Sequence, residues 1–162
     1  MASSTPGISG EILNLLDNSS PSDIHGLEVL RIKELLEGFG YVCKPNGKLR
    51  GISGNVHDFD FVCTKLDTGE KMVLDSMITS GDNEEMLDVE MVKLRLKTYD
   101  CSPDSCIVIA SRVSPSLKQM AILYRISLIE ASSESSPYDR LESLLRLRDA
   151  ESTRKNPLSD LA

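Results

Sequence analysis

Apolar residues recur at helical spacing over Asp23 to Gly40, with Ile24, Ile32, Leu35, Leu36 and Phe39 on one side, Asp23 as N-cap and Gly38 and Gly40 as the stop. The pattern then shortens. Tyr41-Val42-Cys43 predicts a short strand, Lys44 to Gly54 a loop, Val56 to Thr64 a second strand, and Leu66 to Glu70 a hairpin turn into a third strand, Lys71 to Thr79. Helical spacing returns over Glu84 to Asp100, capped by Ser80-Gly81-Asp82-Asn83, with Val89, Val92, Leu96 and Tyr99 as its apolar stripe. Cys106-Ile107-Val108-Ile109-Ala110 is apolar throughout, as a central strand covered on both faces must be. Ser114-Pro115 opens a helix through Tyr124, and Ile126 to Glu130 is another strand, so the second half reads as a βαβ unit with a parallel pair. A final amphipathic helix over Tyr138 to Arg148 turns Tyr138, Leu141, Leu144 and Leu145 inward. The element order α-β-β-β-α-β-α-β-α is that of an α/β protein.

Length and composition add a single domain to this picture. The chain has 162 residues, 40% of them apolar and 27% charged, which is ordinary for one globular core. Residues 1–22, rich in Ser, Pro and Gly around Glu11 to Leu16, read as a flexible leader, residues 23–148 as the domain, and 149–162 as a flexible tail. No apolar run approaches the roughly 20 residues of a membrane helix, and the amino terminus has no signal-peptide pattern, so the expected location is cytoplasmic. Four cysteines without signs of secretion read as reduced thiols, and Cys101 and Cys106 have no second Cys or His pair to complete a zinc site.

Net charge of −7 argues against strong nonspecific binding to nucleic acid. The charges are nevertheless uneven. Lys44 to Gly51 carries Lys44, Lys48 and Arg50 with no acid, while Asp82 to Glu90 carries acids and no base. If the protein binds DNA, that basic segment is where phosphate contacts are expected, with His57 as a further phosphate contact or as a support for Asp60.

The residues richest in chemical content are two carboxylates inside apolar runs. Asp60 lies in Val56-His57-Asp58-Phe59-Asp60-Phe61-Val62, and Asp75 in Met72-Val73-Leu74-Asp75-Ser76-Met77-Ile78. An ionised Asp among such neighbours costs several kcal/mol unless a cation or hydrogen bonds compensate, so the pair points to a site. Two residues beyond Asp75, on the same face of a strand, stands Met77.

The element order resembles the restriction-endonuclease-like fold, the PD-(D/E)xK nuclease superfamily, and within it the Mrr-like and archaeal branch. The likeness spans Asp23 to Ala131. It is carried by Leu35 to Tyr41 closing the first helix, by Ser53 to Asp60 entering the second strand, and by Ile107 to Ala110 followed by Ser114, Ala121 and Ile126 to Ile129. The resemblance implies a mixed β-sheet flanked by helices. It also implies that Asp60 and Asp75 are the catalytic carboxylates and ligands of a divalent ion, usually Mg2+, with Glu28 of the first helix as an additional acidic residue facing the metal. In the superfamily a Lys two residues past the second carboxylate helps position or deprotonate water. Here that position is Met77, which can neither donate a proton nor carry charge.

Three functions follow as expectations. The first is a catalytically degenerate nuclease-like domain that binds nucleic acid or protein. The second is a Mg2+-dependent DNA endonuclease whose lysine has migrated: Lys71, about 13 Å along the strand from Asp75, is too far, whereas Lys93 and Lys97 on one ridge of the following helix are geometrically open. The third is a homodimeric scaffold that pairs through its C-terminal helix. Met77 and the acidic balance favour the first.

Overall fold

The computed structural model describes residues 23–24, 27–78, 84–132 and 134–155. Two short paired strands, β1 (Asp23–Ile24) and β2 (Leu27–Glu28), precede helix α1 (Val29–Gly38). Then follow β3 (Tyr41–Arg50), β4 (Val56–Lys65), β5 (Lys71–Met77), α2 (Glu84–Cys101), β6 (Ser105–Ala110), α3 (Pro115–Tyr124), β7 (Ser127–Glu130) and α4 (Pro137–Lys155). Strands β3 to β7 form one mixed sheet in chain order. The β3/β4 and β4/β5 pairs are antiparallel, and β5/β6 and β6/β7 are parallel.

Alternation along the strands sends apolar side chains to both faces. Phe61, Leu74, Ile107 and Ile109 pack with Ile32 and Leu36 of α1 and Leu141 and Leu145 of α4. Val73, Met77 and Val108 pack with Leu87, Met91 and Leu94 of α2 and Leu117 and Ala121 of α3. The interior strand β6, between β5 and β7, is buried from Cys106 to Ala110, as its unbroken apolar run requires. Ser114 caps α3 by accepting the Leu117 N–H at 3.0 Å, with Pro115 in the first turn.

Four sequence expectations change. Helix α1 begins at Val29, because Asp23–Ile24 pair as a strand with Leu27–Glu28. Glu28 therefore lies before the helix, exposed, its backbone N–H donated to Tyr138 Oη at 2.9 Å. The predicted loop from Lys44 is strand through Arg50, in register from Tyr41↔Lys65 to Arg50↔Val56. Helix α4 runs on to Lys155, its last turns held where Arg148 reaches Ser105 and Ser127 Oγ at 3.1 and 2.8 Å and Asp149 meets Lys65 at 3.1 Å. The α2 stripe of Val89, Val92, Leu96 and Tyr99 faces solvent, and Leu87, Met91, Leu94 and Thr98 face the sheet instead. That helix carries apolar residues at heptad spacing on two sides, and the side bearing Leu87, Met91 and Leu94 is the one buried. The expected leader over 1–22, the cap over 80–83 and the tail beyond 155 lie outside the described residues.

Candidate active site

The long β3/β4 hairpin changes face partway along. Cys43 and Phe61 bury into the α1/α4 core, whereas Leu49 and Phe59 pack on the α2/α3 side, although alternation alone puts 59 and 61 on one face. The crossing falls at Asn46, which has a φ of 50° between the registered pairs Pro45↔Phe61 and Gly47↔Phe59. Asp60 sits on β4 at this crossing. Here β4 and β5 also part, since their registered pairing ends at Phe61↔Leu74 while β5 stays paired with β6 out to Met77↔Ala110.

Backbone groups freed at the parting find partners in the two carboxylates. Asp75 Oδ1 accepts the Asp60 N–H at 2.8 Å, and Asp60 Oδ2 accepts the Ser76 N–H and Ser76 Oγ–H, both at 2.7 Å. The pairing is reciprocal, each Asp taking an N–H from the other's strand, and it locks both side chains beside each other. Asp60 Oδ1 is left with no hydrogen bond to the described residues.

From α2, Lys97 closes the constellation. Its Nζ donates to Asp75 Oδ2 at 3.0 Å and to the Asp58 carbonyl at 2.7 Å, and it lies 4.6 Å from the centre of the Phe59 ring. Lys93, the other lysine on that ridge, instead pairs with Glu90 at 3.2 Å. Burial drives the Asp75 carboxyl above its ordinary range, an effect that the Lys97 ammonium and the Asp60 N–H oppose and the Asp60 carboxylate reinforces. These groups line a cleft of about 440 Å³ that also includes Asn46, Lys48, Asp58 and Ser76.

The structure thus brings Asp60 and Asp75 together and leaves Glu28 out. Glu28 precedes α1, which packs on the opposite face of the sheet from Lys97 and its helix, and among the described residues no group of three or more His, Cys, Asp or Glu side chains can hold a metal. Of the basic candidates, Lys48 lines the cleft and pairs with Asp58 at 2.7 Å, holding that carboxyl below its ordinary range. Arg50 donates to the Gly54 carbonyl at 3.1 Å, and Lys44 is exposed.

His57 is engaged elsewhere. Its Nε2 lies 2.7 Å from Asp100 Oδ2, and Asp100 also accepts Ser53 Oγ–H at 2.6 Å and Ser53 N–H at 2.9 Å. Ser53 bonds the carboxylate and not the imidazole, so this is no nucleophilic triad. It is a clamp that fixes the hairpin tip to the end of α2, one turn beyond Lys97. The Ser53 hydroxyl and N–H, with His57, hold the Asp100 carboxyl down at about 2. Its contribution to stability is present above the ordinary carboxylate range and is lost only as pH falls toward that value. Gly51 makes the clamp possible, because a Cβ there would overlap the Asp100 carboxylate. Gly51→Ala is therefore expected to lower the melting temperature, overpacking of this kind costing about 1–3 kcal/mol, and to speed amide exchange at the hairpin tip. An unchanged melt would sink the clamp.

No family model matches the chain, and no curated protein matches it. A solved structure, titled the crystal structure of a protein of unknown function, AF1548, is similar with a TM-score of 0.50 at 18% identity, covering 65% of this chain. The chain spans 57% of that protein's length. At this identity the likeness is one of fold, and it agrees with an α/β chain built on a mixed sheet with flanking helices. Among the described residues no helix is long and apolar enough to cross a membrane.

Ser76, Asn46 and Asp58 at the cleft and Asp100 at the clamp are residues that the sequence pattern does not single out. Ser76 had a local signal, a hydroxyl beside Asp75 in an apolar strand. Asp100 had none, since its partners lie more than 40 residues earlier.

Proposed function

We propose that the cleft is a metal-dependent phosphodiester hydrolase site of the PD-(D/E)xK type, with Lys97 in place of the lysine that Met77 lacks. The observation that carries this reading is the 3.0 Å contact between Lys97 Nζ and Asp75 Oδ2 beside Asp60. A helix-borne ammonium at the carboxylate pair answers the objection that Met77 raised, so the catalytic alternative now stands ahead of the degenerate one.

The donor set suits Mg2+. That ion is commonly held by one or two carboxylates, several waters and substrate phosphate, so a third protein carboxylate is not needed. Asp60 Oδ1, which takes no hydrogen bond among the described residues, and Asp75 would hold it, and Asp58, exposed at the cleft, remains outside the pair. When bound, such an ion supplies charge stabilisation at the scissile phosphate and a more acidic water. The chain's own part is positional. Ser76 fixes the rotamer of Asp60 through two hydrogen bonds, and the Asp60 N–H fixes Asp75. An ammonium has three donors, and Lys97 commits two of them to Asp58 and Asp75, leaving one for the attacking water or a phosphoryl oxygen. Lys48 at the cleft wall and Lys44 on the same hairpin are cations for the flanking phosphates.

The test is conversion of supercoiled plasmid DNA to nicked or linear forms by the purified chain with Mg2+, which is expected to disappear with EDTA and in Asp75→Ala. DNA binding without Mg2+-dependent cleavage would return the protein to the degenerate, nucleic-acid-binding reading.

A further inference from the structure

Asn46 is the one polar side chain lining the cleft that makes no hydrogen bond to a described residue. Lys48 meets Asp58, Ser76 donates to Asp60, and Lys97 joins Asp75. Asn46 stands on β3 between the registered pairs Pro45↔Phe61 and Gly47↔Phe59, so it falls opposite Asp60, and the order β3-β4-β5 sets Asn46, Asp60 and Asp75 in a row across the sheet. Its backbone is left-handed, with a φ of 50°, a conformation that asparagine enters more readily than most residues with a Cβ. The next residue holds β3 close against β4 at this point, because a Cβ at Gly47 would overlap the Val62 side chain.

Glycine would meet the backbone requirement at position 46 as well as asparagine does. What asparagine adds is an amide, two N–H donors and a carbonyl, on a side chain exposed at the cleft and unused by the fold. The ligand that suits neutral N–H donors beside the Lys48 ammonium and a carboxylate pair is a phosphodiester, whose non-bridging oxygens carry its charge. We propose that Asn46 is a substrate-contacting residue, its side-chain NH2 donating to a non-bridging oxygen of the phosphodiester held at Asp60 and Asp75. Lys97 approaches the same carboxylates from α2, so the phosphodiester is gripped from the strand as well as from the helix. This role rests on the reading of the cleft as a nucleic-acid site, and it gives the β3 wall two kinds of hold: charge from Lys48 and a directional, uncharged hydrogen bond from Asn46.

The experiment is the affinity of the full chain for a fluorescein-labelled DNA duplex, by anisotropy over a series of salt concentrations, with Ca2+ in place of Mg2+ as a cation for the same oxygen ligands, and a melting temperature for each variant. Asn46→Gly, which keeps the left-handed backbone and deletes the amide, is expected to weaken binding about 10-fold, as loss of a hydrogen bond to a charged group does. The loss should be the same at every salt concentration, since no cation is removed, whereas Lys48→Ala should flatten the slope of log affinity against log salt by about 0.9. Asn46→Asp, which tolerates the left-handed region equally well, turns the donors into a carboxylate and is expected to bind more weakly still. Both variants at position 46 should melt close to the native chain. Native-like affinity in either of them, a loss in Asn46→Gly confined to low salt, or weakened binding accompanied by a fall in melting temperature in both would overturn the assignment of Asn46 while leaving the cleft reading intact. A native chain that neither binds nor cleaves DNA would remove the cleft reading, and the role of Asn46 with it.

Discussion

Lys97→Met is expected to lower Mg2+-dependent cleavage by about 10² to 10⁴-fold, the range a positioned proton-transfer group supplies, with Asp60 and Asp75 still in place. Methionine, one atom shorter, keeps the apolar stem that packs beside Phe59, whose ring centre is 4.6 Å from the ammonium in the native protein, and removes the donors and the charge. Lys97→Arg separates two roles for the residue. Arginine keeps the positive charge but does not give up its proton in proteins. Activity recovered by Arg would mean that position 97 serves by charge and hydrogen bonding, while activity lost in both variants would mean that it handles a proton. A further arrangement tests the idea of migration itself. Met77 lines a cavity of about 180 Å³ together with Asp75 and Lys97, so Met77→Lys in the Lys97→Met background returns an ammonium to the same neighbourhood from the strand. Full activity in Lys97→Met alone would end the assignment of Lys97 and, with it, the main support for a catalytic cleft.

The strand and helix order was legible because each element carries its own period: two for the hairpins, none for the fully covered β6, and 3.6 for the helices. Asp60 and Asp75 were legible for a related reason, being charged groups in runs that burial should exclude. What the sequence hid were features set by more than one element at once. The two faces of α2 are both apolar, and only the sheet decides that Leu87, Met91 and Leu94 are covered and Val89, Val92 and Leu96 are not. Lys93 and Lys97 share one ridge, and only the parting of β4 from β5 selects Lys97, whose donors reach Asp58 O and Asp75. The same parting explains Ser76. Its N–H lacks a ladder partner at that point and takes a carboxylate instead, a link between residues 16 apart that no local pattern encodes. Glu28 was misplaced for the converse reason, since the two-residue pairing of β1 with β2 displaces the helix start and carries that residue out to solvent.

Asp75→Asn and Lys97→Met are expected to shift the melting temperature in opposite directions at neutral pH, although both should abolish or cripple cleavage. Among the influences on Asp75, burial is the largest and raises its pKa, outweighing the Lys97 ammonium and the Asp60 N–H. A carboxyl whose folded pKa lies above its unfolded value of about 3.9 contributes stability that is fully present below that value and is lost as pH rises through the folded pKa. The native protein therefore carries this loss at neutral pH. Asparagine removes it and still offers an oxygen to the Asp60 N–H, now 2.8 Å away, while Lys97, 29% exposed, turns to solvent and to the Asp58 carbonyl. Asp75→Asn should accordingly melt higher than the native chain, with a gap that widens from pH 4 to pH 7. Lys97→Met does the reverse. It leaves a carboxylate that is only 14% exposed without its cation, at about 1–3 kcal/mol for an unsatisfied buried acceptor, and each kcal/mol lowers the melting temperature by about 2–4 °C in a chain of this size. Calorimetric melts of both variants across that pH range decide the matter. If Asp75→Asn melts below the native protein at pH 7, the ion pair outweighs the burial of the carboxyl, and the site is built for stability first.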